Sequence, residues 1–285
     1  MKKPFLIMLV VIAIGILFLQ GDDFRFEKKE KISKTLKFQE PSKPKDLQVD
    51  NIFGSIAVTG YNGSEVTLIA HKTIKARTEG RIEKAQQEVK LDITEEGNII
   101  DIYVDGPFRC RHKNEQENRH DPGYRVHYDF EIKVPHKTNI FLKTVTDGDI
   151  EVNSIEGEFE VKNVNGKITM GDMAGSGIAH TVNGEVKVAF SQNPDSDCSF
   201  KTINGDIEVV FVKNLSADFH LKTFHGDAYS DFAVSYLPTV SSASVQRKNG
   251  KYVYKSNRYT GIRVGSGGPE IKMDTLNGDL LINKK

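Results

Sequence analysis

Residues 145–189 read VTDGDIEVN, SIEGEFEVK, NVNGKITMG, DMAGSGIAH and TVNGEVKVA, five lines of nine with a glycine fourth in each. Those glycines are Gly148, Gly157, Gly166, Gly175 and Gly184. Gly205, Gly226 and Gly278 carry the same surroundings at longer intervals, in INGDIEV, FHGDAYS and LNGDLLI. A fixed short period means that one structural unit is stacked many times, which favours a long regular surface over a buried pocket.

Indexed on the glycine, apolar residues recur at three offsets. Two before it stand Ile155, Val164, Met173, Val182, Ile203, Phe224 and Leu276; two and four after it stand pairs such as Ile150 and Val152, or Ile207 and Val209. Even spacing places residues on one face of a strand, so all three offsets are expected to point inward, with Glu151, Glu160, Lys187 and Glu208 facing solvent. Asn165, Asn183, Asn204 and Asn277 precede their glycines. Asn and Gly both tolerate positive φ, so each phrase reads as a tight corner followed by a short strand. Two units make one turn of two strands and two corners. Asn-Gly is also the strongest hairpin signal, and an antiparallel meander is the rival reading. Identical phrases stacked in register favour an all-β, right-handed parallel β-helix or β-solenoid, with Thr181, Thr202, Thr223 and Thr275 in one column.

Outward from the repeat, 136–285 is the repeat region and 47–135 an N-terminal β cap. Within the cap, IFGSIAV and YNGSEVTLIAHKT alternate as half-buried strands do. Residues 79–88, EGRIEKAQQE, form the one plausible helix, and 105–123 is a polar loop. Residues 22–46 read as a charged stalk leading to a strand near 32–38. Residues 1–21 combine Lys2 and Lys3 with an apolar run from Phe5 to Leu19. As a helix that run spans about 22 Å, short of the ~30 Å hydrocarbon core, so it suits a signal peptide better than a full span. A cleaved signal and an uncleaved N-terminal membrane anchor both place the rest outside the cytoplasm.

The phrases TINGDIEV and TVNGEVKV, with IFGSIAVTGYNGSEVTLIA and YDFEIKVPHKTNIFLKT upstream, resemble the bacterial "putative adhesin" family of uncharacterised β-strand-repeat domains. The resemblance covers roughly 47–285. It implies an exported parallel β-helical protein and supplies no catalytic residues to carry over.

Lys plus Arg equals Asp plus Glu at 39 each, so net charge is zero and a nucleic-acid partner is not expected. Cys110 and Cys198 are the only cysteines. An exported chain permits a disulfide between them, and two free buried thiols are the alternative. Asp149, Glu158, Glu185, Asp206, Asp227 and Asp279 follow their glycines and form a candidate Ca²⁺ ladder, but Lys167 breaks it and turn carboxylates are the simpler reading. Cys110, His112, His120 and His127 match no standard zinc spacing. His225-Gly226-Asp227 occupies an ordinary corner. No catalytic residue, cofactor or metal is expected. The expected function is a non-enzymatic cell-envelope adhesin or scaffold that binds an envelope protein, a glycan or a surface. The alternatives are a carbohydrate-active enzyme and an envelope-stress or assembly component.

Overall fold

The computed structural model describes residues 24–40, 42–109, 121–238 and 259–285, with the backbone of three further strands, 12–17, 243–248 and 251–256. The strands in chain order begin with β1 Ile12–Leu17, β2 Phe26–Lys37, β3 Asp46–Asp50, β4 Ile56–Tyr61 and β5 Glu65–Ala76. Helix α1 Glu79–Glu88 follows, then β6 Lys90–Glu96, β7 Ile99–Asp105 and β8 Tyr124–Pro135. The repeat supplies β9 Asn139–Lys143, β10 Ile150–Asn153, β11 Phe159–Lys162, β12 Ile168–Ala174, β13 Gly177–His180, β14 Val186–Gln192, β15 Cys198–Lys201 and β16 Ile207–Phe211. After it come β17 Ala217–Lys222, β18 Ala228–Ser230, β19 Val234–Tyr236, β20 Ala243–Lys248, β21 Lys251–Ser256, β22 Thr260–Val264, β23 Glu270–Asp274 and β24 Leu280–Lys284.

These strands form two mixed sheets of eleven strands each and one separate hairpin, β20–β21. The first sheet runs β1-β2-β5-β8-β4-β10-β12-β14-β16-β24-β18, and the second runs β19-β22-β17-β23-β15-β13-β11-β9-β3-β7-β6. The fold is therefore all-β but not the uniform right-handed parallel β-helix expected from the repeat. Both sheets mix directions. β2 pairs antiparallel with β5 and β5 with β8, β6 pairs antiparallel with β7, and β22 lies antiparallel to both β17 and β19. Only the middle strands are parallel throughout. The nine-residue phrase fixes a corner and a strand, and says nothing of the long strands outside it. Strands β3 and β4, from the 47–135 segment, pair directly with β9 and β10 inside the two sheets.

Within the parallel middle, like positions stand side by side. Ile56, Ile150, Ile168, Val186, Ile207 and Leu280 line up across neighbouring strands and are all fully buried. β-Branched and aliphatic side chains suit such a pleated, covered surface. The two sheets close on one another over a single core. Phe190 and Phe211 stack at 5.4 Å within the first sheet, and Phe211 meets Phe219 of the second edge-on at 5.7 Å. Burial of that size is the dominant stabilising effect in the fold. Helix α1 occurs where its composition places it. It buries Ile82 and Ala85 towards β2, β5 and β8, leaving its charged residues in water.

The long gap between Gly226 and Gly278 has a topological cause. The chain lays down β17 and β18, then returns through β22, and only then inserts β23 and β24 between strands already passed. β24 lies between β16 and β18, and β23 between β15 and β17. Leu280 thus pairs with Ile207 on one side and Ala228 on the other.

Candidate binding surface

The eight glycines stand on two different edges of the sandwich. Gly148, Gly166, Gly184, Gly205, Gly278 and Gly226 form one column, where the chain crosses from the second sheet to the first. Gly157 and Gly175 lie on the opposite edge. Close approach explains both. A Cβ on Gly205 would sit 2.2 Å from the carbonyl oxygen of Gly184, and one on Gly175 would sit 2.1 Å from that of Gly157.

The Asn-Gly edge is tied together by three side-chain columns. Thr181, Thr202, Thr275 and Thr223 donate their hydroxyls to the carbonyls of Gly166, Gly184, Gly205 and Gly278 at 2.9–3.0 Å. Each hydroxyl thus reaches the glycine of the adjacent level, satisfying an acceptor that a corner would otherwise orphan. Beside this column runs an amide ladder. Asn183 donates to Asn165, Asn204 to Asn183 and Asn277 to Asn204, each at 2.7 Å, and His225 ends the ladder 2.8 Å from the Asn277 side-chain oxygen. In the third column, Asp149 accepts the backbone N–H of Lys167, Asp206 that of Asp279, and Asp279 that of Asp227, at 2.7–2.9 Å. These three corner carboxylates are spent on backbone, and Glu185 on Lys167 and Lys187. Among the described residues no group of three or more His, Cys, Asp or Glu is placed to hold a metal ion.

The residues two before each glycine separate the two edges. Ile155 and Met173, at the Gly157 and Gly175 corners, are fully buried as expected. At the Asn-Gly corners the same position turns outward, which corrects the expectation for Val164, Val182, Ile203, Leu276 and Phe224. Alternation along each incoming strand already places Thr202 inward, so Ile203 must face out. Backbone bonds put these residues in one continuous row. Asn165 N–H donates to Val145, Asn183 to Val164, Asn204 to Val182, Asn277 to Ile203 and His225 to Leu276. Ile52 starts the row, accepting from Thr146. The row Ile52, Val145, Val164, Val182, Ile203, Leu276, Phe224 is half-buried at its start and opens towards its end. Ile203 is 44% exposed, Leu276 46% and Phe224 72%. A continuous apolar stripe rimmed by amides and carboxylates is the kind of surface that marks an interaction site. The sequence did carry a sign of it: Asn stands before the glycine at four of the six corners on this edge, with Asp147 and His225 at the other two.

The opposite edge carries a shallow open trough of about 610 Å³, lined by Phe141, Glu158, Glu160, Asp195 and Asp197 among others. Of the other candidates, Cys110, His112 and His120 lie outside the described residues, as does most of the 105–123 loop, so the Cys110–Cys198 pairing does too. His127 contacts Asp147 at 3.3 Å and packs near the Phe53 ring. Cys198 is buried, and burial raises its thiol to about 11. His180 is held down to about 4, first by burial and then by the Lys201 and Lys162 charges. Among the described residues no helix is long and apolar enough to cross a membrane.

No family model and no curated protein matches the chain. Among solved structures it is similar to a "putative cell adhesion protein" from Clostridium sporogenes, at 13% identity and TM-score 0.39, over 89% of this chain and 99% of that one. It is also similar to a "putative adhesin" from Bacteroides fragilis, at 12% identity and TM-score 0.40, over 90% and 97%. A third, a "putative lipid binding protein" from Parabacteroides distasonis, shares 12% identity at TM-score 0.27, over 90% and 96%.

Proposed function

We propose that this chain is a non-enzymatic, exported protein of the bacterial cell envelope that binds an extended ligand along its Asn-Gly edge. The observation that carries this reading is the apolar stripe from Ile52 to Phe224. It runs at right angles to the strands, so it presents one apolar group every ~4.8 Å along the edge. A long, thin partner, such as an envelope polymer or an extended polypeptide, could contact many levels at once. The amide ladder beside the stripe offers regularly spaced polar groups of the kind that fix orientation. The charge-balanced surface and the apolar leader at 1–21 agree with export to the envelope rather than with nucleic-acid work.

The test is retention of the full chain on envelope fractions. Ile203→Lys together with Leu276→Lys places two charges in the open half of the stripe at positions already about half exposed, so the fold should survive. The expected result is at least tenfold weaker retention with an unchanged melting temperature. Unchanged retention would remove the stripe from the reading, and retention by no envelope fraction at all would remove the function.

A further inference from the structure

The apolar stripe has a charged row beside it. Lys143, Lys162, His180 and Lys201 pair side by side across β9, β11, β13 and β15, with Asp50 of β3 before them and Asp274 of β23 after. Each stands two residues before a member of the stripe. Lys201 precedes inward-facing Thr202 and then Ile203, so strand alternation turns the lysine and the isoleucine to the same outer side. The row therefore follows the stripe along its second-sheet flank, one side chain every ~4.8 Å. Its four middle positions hold three lysines and no carboxylate. The side chains of Lys143 and Lys162 are 51% and 47% exposed. Lys162 contacts Glu160. Lys143 reaches Asp50 only at 3.7 Å, and Arg109 holds that same carboxylate at 3.0 Å. Lys201 makes no ion pair with any described residue. His180 registers the surplus: after its own burial, Lys201 and then Lys162 do most to keep it unprotonated, and Glu160 opposes them less. The other flank has the opposite sign. Beyond the amide ladder stand Asp149, Glu185, Asp206, Asp279 and Asp227, with Lys167 the one cation among them. On a chain of zero net charge, the stripe thus divides a basic row from an acidic one.

Resting on the Asn-Gly edge as the binding surface, we infer that its ligand is a linear phosphodiester polymer of short polyols, with phosphates over Lys143, Lys162 and Lys201 and its carbon backbone on the stripe. The basic row demands an anion. The acidic row demands a thin one, because like charges brought face to face reject a partner. A flat anionic membrane over this edge would meet the five carboxylates together with the lysines, whereas a single chain lies on one flank. Lysine in place of arginine favours phosphate, which an ammonium binds as a point charge; the fork that grips a planar carboxylate at two points is missing from the row. From Val145 to Leu276 the stripe is aliphatic, with no aromatic platform on which nucleic-acid bases stack. The charges of Ile203→Lys and Leu276→Lys fall beneath the polymer's carbon backbone, so that variant still weakens retention.

The experiment is calorimetry of the purified full chain in mild detergent with lipid-free poly(glycerol phosphate). Saturable binding is expected. Lys162→Gln with Lys201→Gln should weaken it at least tenfold. Lys90→Gln with Lys133→Gln, which removes the same charge from exposed positions elsewhere, should change it less than twofold. Salt should weaken the native chain more than the row variant. Bound phosphate should also raise the titration of His180 from about 4, read from the ring-proton signal that is missing in His180→Gln. No binding, equal loss in both charge variants, an unmoved His180, or equally tight binding of phosphatidylglycerol vesicles, polyglutamate or oligothymidylate would each overturn the inference. Where envelope retention nevertheless falls with Ile203→Lys and Leu276→Lys, the stripe stands as the binding surface and only the polymer is wrong.

Discussion

Gly205→Ala should damage this protein far more than one added methyl normally does. The backbone at Gly205 has φ +151°, in a region that L side chains rarely adopt. A Cβ there would lie 2.2 Å from the Gly184 oxygen and 2.6 Å from its carbon, where real contacts are essentially never under 3.0 Å. The obstacle is backbone on a neighbouring strand, so relief requires the two levels to move apart. Two short bonds between these levels oppose that movement: Gly184 N–H to the Asn204 carbonyl and the Thr202 hydroxyl to the Gly184 carbonyl, both at 2.9 Å. Overpacking costs about 1–3 kcal/mol, the φ about 1–2, and weakened hydrogen bonds about 1 more. The sum is roughly 3–6 kcal/mol, which at about 2–4 °C per kcal/mol for a large chain is a fall of about 6–24 °C in melting temperature. The internal control is Gly80→Ala in α1, where an added Cβ meets nothing within 4 Å. There alanine should stabilise by about 0.5–1 kcal/mol through helix propensity. Thermal and urea unfolding of the full chain, followed by circular dichroism, reads both. Equal shifts in the two variants, or a loss below ~1 kcal/mol for Gly205→Ala, would refute the close-approach account of the glycine column.

Other consequences are directly measurable. Asn204 both donates and accepts in the amide ladder, so Asn204→Ala should cost about 1–2 kcal/mol, and Asn204→Asp more, since a carboxylate cannot donate to Asn183; equal losses would argue against the ladder. Phe211→Ala empties the centre of the inter-sheet aromatic cluster and should cost about 3–5 kcal/mol in urea unfolding. His180 titrates near 4 when folded and near 6.5 when unfolded. The unfolded state therefore binds more protons between those values, and stability should fall as pH drops through that window. His180→Gln should flatten that part of the stability–pH curve, and an unchanged slope would rule His180 out as its source. Alkylation of Cys198 at pH 8 should be negligible in the folded chain, because burial holds the thiol near 11.

Much of the local structure was legible because it is set by local chemistry. Thr-x-Asn-Gly-Asp specifies a corner, and the +2 and +4 residues Ile207, Val209, Leu280 and Ile282 are buried, though at the Gly226 corner Ala228 and Ser230 are exposed. The helix bounds were legible for the same reason: EGRIEKAQQE lacks the alternation that surrounds it. The overall architecture was not. Which strand lies beside which depends on long-range pairing, and nothing within β24 states that it will separate β16 from β18. The parity change at the Asn-Gly corners was also missed, because even spacing was carried across a bend where the strand face reverses. The same misreading hid the stripe. Ile203, Leu276 and Phe224 look like core residues by type, and only their place next to an inward-facing Thr turns them outward.

The late insertion of β23 and β24 sets an order of events in time. A chain that emerges from its N-terminal side during synthesis can assemble its levels one after another as far as Phe211. The level built from β17 and β18 cannot then take its final neighbours, because they reside in residues 270–284, which arrive later. Until those residues appear, the strands at 217–230 must wait or pair wrongly with β15 and β16. Completion of the sandwich is thus gated by the arrival of its last two strands, and a pause in translation just before residue 270 would hold the molecule with its end unsealed.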